Sequence, residues 1–93
     1  MTDLYLEVVT PEEILFEGPV GMVEVPGTSG RFTVLRDHAP IISTLVEGRI
    51  RVIGKDGVER FFNCKKGVVE SRDNHMTVLM DHPPKTAISP DDL

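Results

Sequence analysis

The stretch IRVIGKDGVERFF, residues 50–62, contains the clearest structural signal in the chain. Apolar and polar residues alternate on both sides of Lys55-Asp56-Gly57, and this alternation places one set of side chains on a buried face and the other in solvent. Asp-Gly tolerates the positive φ angles that tight turns between antiparallel strands require. The stretch therefore predicts a β-hairpin with its turn at residues 55–57.

The same alternation recurs along most of the chain, with turn-forming residues at short intervals. Eight glycines and seven prolines in 93 residues suit many tight turns, and both residue types disfavour a helix interior. Short strands at this spacing are typical of a β-sandwich or a barrel. We therefore predict an all-β fold whose core face carries Leu4, Leu6, Val8, Ile14, Phe16, Val23, Val25, Phe32, Val34, Ile50, Val52, Met76, Val78 and Met80.

Residues 13–25 form one long strand candidate that is interrupted by Gly18, Pro19 and Gly21. Proline cannot donate a hydrogen bond to a strand ladder, so Pro19 predicts an edge, a bulge or a crossing between two sheets. A sandwich needs such corners where a strand leaves one sheet for the other. Beyond the last strand the alternation is lost. We predict one sandwich domain over residues 1–82 and a short, flexible, irregular C-terminal tail over residues 83–93.

Charge and composition exclude several classes of partner. The formal net charge is −5, and the ten Lys and Arg residues are scattered, whereas nucleic-acid binding needs a clustered basic face. Direct attraction to an anionic membrane is disfavoured for the same reason. No apolar stretch approaches the roughly 20 residues that a membrane helix requires. Cys64 is the one cysteine, which excludes an internal disulfide and favours a reducing compartment.

No enzyme or metal signature is visible in the sequence. An aspartate lies near each histidine, at Asp37-His38, Asp73 with His75 and Asp81-His82, but turns favour aspartate and no metal-ligand spacing is present. The candidate nucleophiles lack the motifs that activate such residues; they are Ser29, Ser43, Thr44 and Cys64. We expect Cys64 to be a small core residue. The sequence predicts no catalytic residues, no metal site and no cofactor.

Two segments have the character of recognition sites. Residues 27–30, Gly-Thr-Ser-Gly, form an exposed turn, and an anion-binding loop is the less favoured alternative because a strand and not a helix follows. Residues 38–42, His-Ala-Pro-Ile-Ile, are either the entry to a strand or a partly apolar recognition edge. Both interpretations of the second segment remain open at this point.

The ordered motifs resemble the N-terminal β-sandwich of the epsilon subunit of F-type ATP synthase, called delta in mitochondria. The resemblance covers residues 3–82, and it depends on the order and spacing of short blocks more than on any one of them. The matching positions are Val8-Val9-Thr10-Pro11-Glu12, Leu15-Phe16-Glu17-Gly18, Val25 to Gly30, His38-Ala39-Pro40, Leu45, Gly48, Lys66 to Glu70, Asn74 and Thr77 to Asp81.

The resemblance implies a sandwich of two roughly five-stranded sheets and a non-catalytic place in the central stalk, or rotor. It implies that the domain binds the gamma subunit through Thr10, His38 and Ser43. It also implies that one end faces the c-ring; the residues at that end are Gly27, Thr28, Ser29, Gly30 and Arg31, with Arg36 and Asp37 close by. The implied location is the cytoplasmic face of the bacterial plasma membrane, or else an organellar membrane. Membrane association would come only through the complex.

The chain departs from the family pattern in four places. Lys66 and Thr33 stand where a glycine is common, and Arg31 stands where an acidic or neutral residue is often found. Many relatives continue into a C-terminal helical hairpin that restrains ATP hydrolysis, whereas here about a dozen residues with three prolines follow the last strand. We therefore expect coupling of rotation to ATP synthesis without that brake. A stand-alone sandwich that binds a small ligand or peptide by its edge is the alternative, and a small hydrolase using an Asp–His pair is a third class.

Overall fold

The computed structural model describes residues 3–81, which form eight β-strands. All the regular structure in this range is strand, as the alternation predicts. The strands are β1 (Leu4–Val9), β2 (Ile14–Gly27), β3 (Gly30–Val34), β4 (Ile41–Leu45), β5 (Gly48–Gly54), β6 (Glu59–Cys64), β7 (Gly67–Arg72) and β8 (His75–Met80). The predicted tail, residues 83–93, lies outside the described residues.

Strand β2 crosses from one sheet to the other. Its first half pairs with β1 from Ile14 to Val20, and its second half pairs with β5 and β3. The register with β5 shifts between Val20 and Met22, which marks a bulge directly after Pro19. The first sheet contains the first half of β2 followed by β1, β8, β7 and β4, and the second contains β3, the second half of β2, β5 and β6. The predicted all-β sandwich is confirmed, with five strands in one sheet and four in the other.

The sandwich core is formed by the side chains that the alternation assigns to the inner faces. Fully buried residues come from both sheets, and Cys64 is among them at 3% exposure, as expected. Phe16 and Phe32 pack against this cluster from its margin. One assignment is wrong: Ile14 is 58% exposed. The pairing of β1 with β2 shifts register between Val8 and Val9, so Ile14 leaves the inward phase of its strand.

The β7–β8 hairpin is closed by Asp73 and Asn74, both with positive φ, at 51° and 61°. A turn with two consecutive positive φ angles matches the twist of antiparallel strands. Asn and Asp adopt positive φ angles more readily than most residues do. The Asn74 side chain also holds the preceding loop, because its Oδ1 accepts a hydrogen bond from the Asp37 backbone N–H at 2.6 Å and its Nδ2 donates to Asp37 Oδ1 at 3.0 Å. Asn74 thus connects the hairpin to the segment before β4.

Within residues 3–81 the structure has no helix long and apolar enough to cross a bilayer.

Replacing Asn74 tests this connection. We expect Asn74→Ala to lower the free energy of unfolding by about 2 kcal/mol, because it removes two hydrogen bonds and because alanine adopts the left-handed conformation less readily than asparagine does. Asn74→Gly removes the same hydrogen bonds but relieves the backbone, so it should cost about half as much. Urea unfolding of both variants is the measurement, and equal losses would contradict the backbone contribution.

Candidate docking surfaces

The outer face of the first sheet carries an apolar cluster that we call the apolar face: Ile42, Val68 and Leu79. These side chains are 73%, 44% and 47% exposed. They lie on three adjacent strands, β4, β7 and β8. Val68 on β7 is directly opposite Leu79 on β8 and, on its other side, opposite Thr44 on β4. Ile42 lies two residues before Thr44 on the same strand. Contiguous exposed apolar side chains on one face are typical of a protein-protein contact.

The other half of the same outer face is polar and acidic. Glu7 and Glu70 flank Thr77 across β1, β8 and β7, and Glu17 lies opposite Glu7 on β2. His75 Nε2 lies 3.1 Å from Glu7 Oε1. Partial desolvation, and then the negative charges of Glu17 and Glu7, raise the pKa of the neighbouring Tyr5 phenol, so its hydroxyl stays protonated. The first sheet therefore presents an apolar half beside an acidic half.

Thr10, one of the residues expected to bind gamma, is buried at 6% exposure. Its Oγ1 accepts hydrogen bonds from the backbone N–H groups of Glu12 and Glu13 at 3.3 and 3.2 Å, and its own N–H donates to the Glu13 carbonyl at 2.9 Å. The hydroxyl therefore stabilises the turn that carries the exposed Pro11 between β1 and β2. Thr10 shapes the margin of the apolar face and does not present its own side chain to it.

The other two residues expected to bind gamma, His38 and Ser43, lie just before β4 and on it, and not beside Thr10. Both are half-buried: His38 precedes β4, and Ser43 lies on β4 opposite Val69. His38 Nδ1 lies 2.7 Å from the Ala39 carbonyl oxygen, and because a carbonyl can only accept, Nδ1 carries the proton.

Thr10, His38 and Ser43 do not converge on one point. Thr10 follows β1, which is separated from β4 by β8 and β7, so about 14 Å lies between β1 and β4 at the usual strand spacing. The apolar face extends across β8, β7 and β4, which carry Leu79, Val68 and Ile42 respectively. A ligand pocket would need convergent groups, whereas a protein interface of ordinary size spans such a distance.

The turn at residues 27–30 lies at one end of the sandwich and connects β2 to β3. Gly27 is directly opposite Gly30 in the ladder, and Thr28, Ser29 and Gly30 are exposed. Gly30 has a φ of 129°, which L side chains rarely adopt. A β-carbon at Gly27 would lie 2.7 Å from Phe32 Cε2. Both ends of this turn therefore require glycine.

The structure separates Arg36 and Asp37 from the turn at residues 27–30. Arg31 is near the start of β3, whereas Arg36 and Asp37 lie in a turn after its end. Asp37 is held by Asn74 at the β7–β8 turn, at the opposite end of the first sheet. The structure therefore places Arg36 and Asp37 away from residues 27–31, beyond the other end of β3.

The candidate catalytic groups do not assemble into a site among the described residues. His75 contacts Glu7 and not Asp73, and His38 contacts a backbone carbonyl. Residues 3–81 contain no group of three side chains able to hold a metal ion. Cys64 is buried, and burial followed by the charge of Asp81 raises the pKa of its thiol. His82 lies outside the described residues.

Three residues that shape these surfaces were not among the predicted contact residues: Thr44, Val68 and Leu79. Leu79 alternates with the core residues Val78 and Met80, so its outward position was readable from the pattern. Val68 stands next to Val69, and a pair of valines does not show which one faces out. Thr44 was considered as a nucleophile only, because its contact with Thr28 joins residues 16 positions apart.

Comparison with known proteins gives one consistent result. The profile of the ATP synthase delta/epsilon chain beta-sandwich domain matches residues 3–83. An ATP synthase epsilon chain of Caulobacter vibrioides is 40% identical over 83 residues, covering 88% of this chain and 94% of its own. An ATP synthase epsilon chain of Delftia acidovorans is 36% identical over 93 residues, covering 100% of this chain and 64% of its own. The chain thus spans nearly all of one relative and about two thirds of the other.

A solved structure has the same fold. A chain in the Euglena gracilis mitochondrial ATP synthase assembly of OSCP, F1 and c-ring superposes with a TM-score of 0.84 over 99% of this chain and 59% of that chain, at 17% identity.

Modification of Cys64 tests whether its side chain, at the end of β6, is buried in the core. Because the thiol is buried and its pKa lies above the usual value of 9.0, little thiolate is exposed. We expect a thiol reagent such as DTNB to react with the native chain at least about tenfold more slowly than with the urea-unfolded chain. Equal rates would contradict the burial.

The raised pKa of the Cys64 thiol also predicts a pH dependence of the free energy of unfolding. The folded state keeps the Cys64 proton at a pH where the unfolded state releases it, so its contribution to stability is present below the unfolded pKa and is lost as pH rises above it. The stability difference between wild type and Cys64→Ala, measured by urea unfolding, should therefore shrink above pH of about 9. A difference that stays constant up to the alkaline limit would contradict the shift.

Proposed function

The chain belongs to the family of the ATP synthase delta/epsilon chain, and from that premise we propose that it is a non-catalytic central-stalk subunit that joins gamma to the c-ring. In this role it transmits proton-driven rotation of the ring towards ATP synthesis. The observation that supports docking is the apolar face, which exposes three large side chains on adjacent strands. It acts at the membrane as a peripheral part of the complex, on the cytoplasmic face in a bacterium.

Gamma is proposed to cover the apolar face. Burying Ile42, Val68 and Leu79 would remove their exposed apolar surface from water, which is the main favourable term in association. Thr10 at one margin, and Ser43 and His38 at the other, would border this contact. Pro11, Lys66 and Asp81 surround the end of the face where Val68 meets Leu79, and the two charged residues give it a polar rim.

The c-ring is proposed to face the turn at residues 27–30, with Arg31 beside it. This turn lies at one end of the sandwich, while the apolar face lies along its side, so both contacts can be made at once. Arg36 and Asp37 lie beyond the other end of β3, and the proposed ring contact does not need them.

A close-packed sandwich suits a mechanical role. Its core is formed by buried side chains from both sheets, and interiors packed at this density deform little under load. Strand β2 belongs to both sheets and ends at the turn proposed to face the ring. A force applied at that turn therefore passes directly into the backbone ladder of both sheets.

Mutation of the apolar face tests the contact with gamma. We expect Ile42→Asp to weaken binding to purified gamma about 30-fold, because roughly 2 kcal/mol of apolar burial is lost. Ile42 is 73% exposed, so the fold should be unaffected. The matched control is Val58→Asp, at an exposed position beside the β5–β6 turn, which should bind as wild type does. Failure of the wild-type chain to bind gamma, or equal losses in both variants, would contradict the proposal.

Omission of the chain from the enzyme tests its coupling role. We expect a complex assembled without it to hydrolyse ATP at an unchanged rate but to pump few protons, because the ring loses part of its connection to gamma. ATP hydrolysis and proton uptake into vesicles are measured on the same preparation. Unchanged pumping, or loss of hydrolysis, would contradict a coupling role without catalysis.

A further inference from the structure

The side chain of Arg31 is engaged within the domain. Its Nε donates a hydrogen bond to Glu24 Oε2 at 3.2 Å, and its Nη2 donates to the Arg49 carbonyl oxygen at 2.8 Å. The guanidinium thus extends from β3 across β2 to β5, three neighbouring strands of the second sheet. Glu24 is further held by Arg51 Nη1 at 3.7 Å, and Arg51 in turn pairs with Glu59.

The opposite side of the turn is held by β4. The backbone N–H of Thr28 donates to the Thr44 carbonyl at 3.1 Å, the Thr28 hydroxyl donates to the same oxygen at 3.0 Å, and the two threonine hydroxyl oxygens lie 2.5 Å apart. The N–H of Val46 donates to the Pro26 carbonyl at 2.9 Å. The turn is therefore fixed to the first sheet on one side and, through Arg31, to the second sheet on the other.

These contacts determine what the turn offers to a partner. Its exposed tip consists of Thr28, Ser29 and Gly30, none of which is charged. The nearest charge, on Arg31, is compensated by Glu24 and directed along the sheet. A partner at this end meets hydroxyl and backbone groups in a fixed arrangement, and pre-organised groups lose less conformational entropy on binding.

We propose that Arg31 is a positioning residue: it braces the tip at residues 28–30 so that the tip docks a polar, uncharged turn of its partner, and it does not itself read a partner charge. The inference rests on the proposed function, in which the partner at this end is the c-ring. The planar guanidinium of Arg31 is needed because it reaches two acceptors on different strands at once, Glu24 on β2 and the Arg49 carbonyl on β5. The single ammonium group of a lysine does not reproduce this geometry.

Substitutions on both sides of the Arg31–Glu24 pair distinguish bracing from charge recognition. The full chain is bound to purified c-ring in detergent. Bracing predicts that Arg31→Lys and Glu24→Ala each weaken binding about fivefold, the upper range for one exposed ion pair. The matched control is Asp3→Ala, which removes the exposed Lys55–Asp3 ion pair outside the network of Glu24 and should bind as wild type does. All three variants should bind gamma normally.

Charge recognition predicts the opposite pattern. Arg31→Lys would keep its affinity, and Glu24→Ala would bind more tightly because it frees the cation; either result overturns the inference. Amide hydrogen exchange of the free chain gives a readout that needs no partner. Exchange at residues 28–30 should be faster in Arg31→Lys and Glu24→Ala and unchanged in Asp3→Ala. Unchanged exchange in all three overturns the brace, whereas a wild-type chain that does not bind the c-ring overturns the proposed ring contact.

Discussion

Strand β2 hydrogen-bonds to β1, β5, β3 and β4 along its 14 residues, and the placement of every other element follows from this pairing. At Val20 it has Leu4 on one side and Gly54 on the other, and at Gly27 it has Gly30 and Leu45. A strand that serves two sheets must bend between them. The bulge beyond Pro19 supplies the bend, because proline gives no donor and the register can shift there.

The two outer faces that this arrangement produces have different character. The second sheet carries a chain of ion pairs, Arg31–Glu24–Arg51–Glu59, running across four strands. Exposed pairs of this kind satisfy one another and leave a face suited to solvent. The first sheet carries Ile42, Val68 and Leu79 without such cover by the other described residues. The outer face of the first sheet exposes more large apolar side chains than that of the second, where Arg49 lies over the ring of Phe61, so the first sheet is the natural place for a large protein partner.

Both proposed contacts use an exposed surface, the apolar face for gamma and the turn at residues 27–30 for the c-ring, and neither uses a cavity. The same backbone ladder supports both proposed contacts, since β4 carries Ile42 on the apolar face and Thr44 beside the turn at residues 27–30. A displacement at either contact is therefore resisted by hydrogen bonds that also hold the other. This arrangement fits a subunit that connects two larger bodies and whose rigidity is its contribution.

The sequence by itself determined the all-β class, the hairpin at residues 55–57, the burial of Cys64 and most of the core, because period-two alternation and turn chemistry are local properties of the chain. The motif order also indicated the family. Only the tertiary structure decided that Ile14 faces outward, that Val68 joins Leu79 on one face, and that Arg36 and Asp37 lie far from residues 27–31. It also decided that Arg31 bonds to Glu24 and the Arg49 carbonyl. These facts depend on register and on pairing between distant strands, and a register is chosen by the packing of the whole sandwich and not by any one segment.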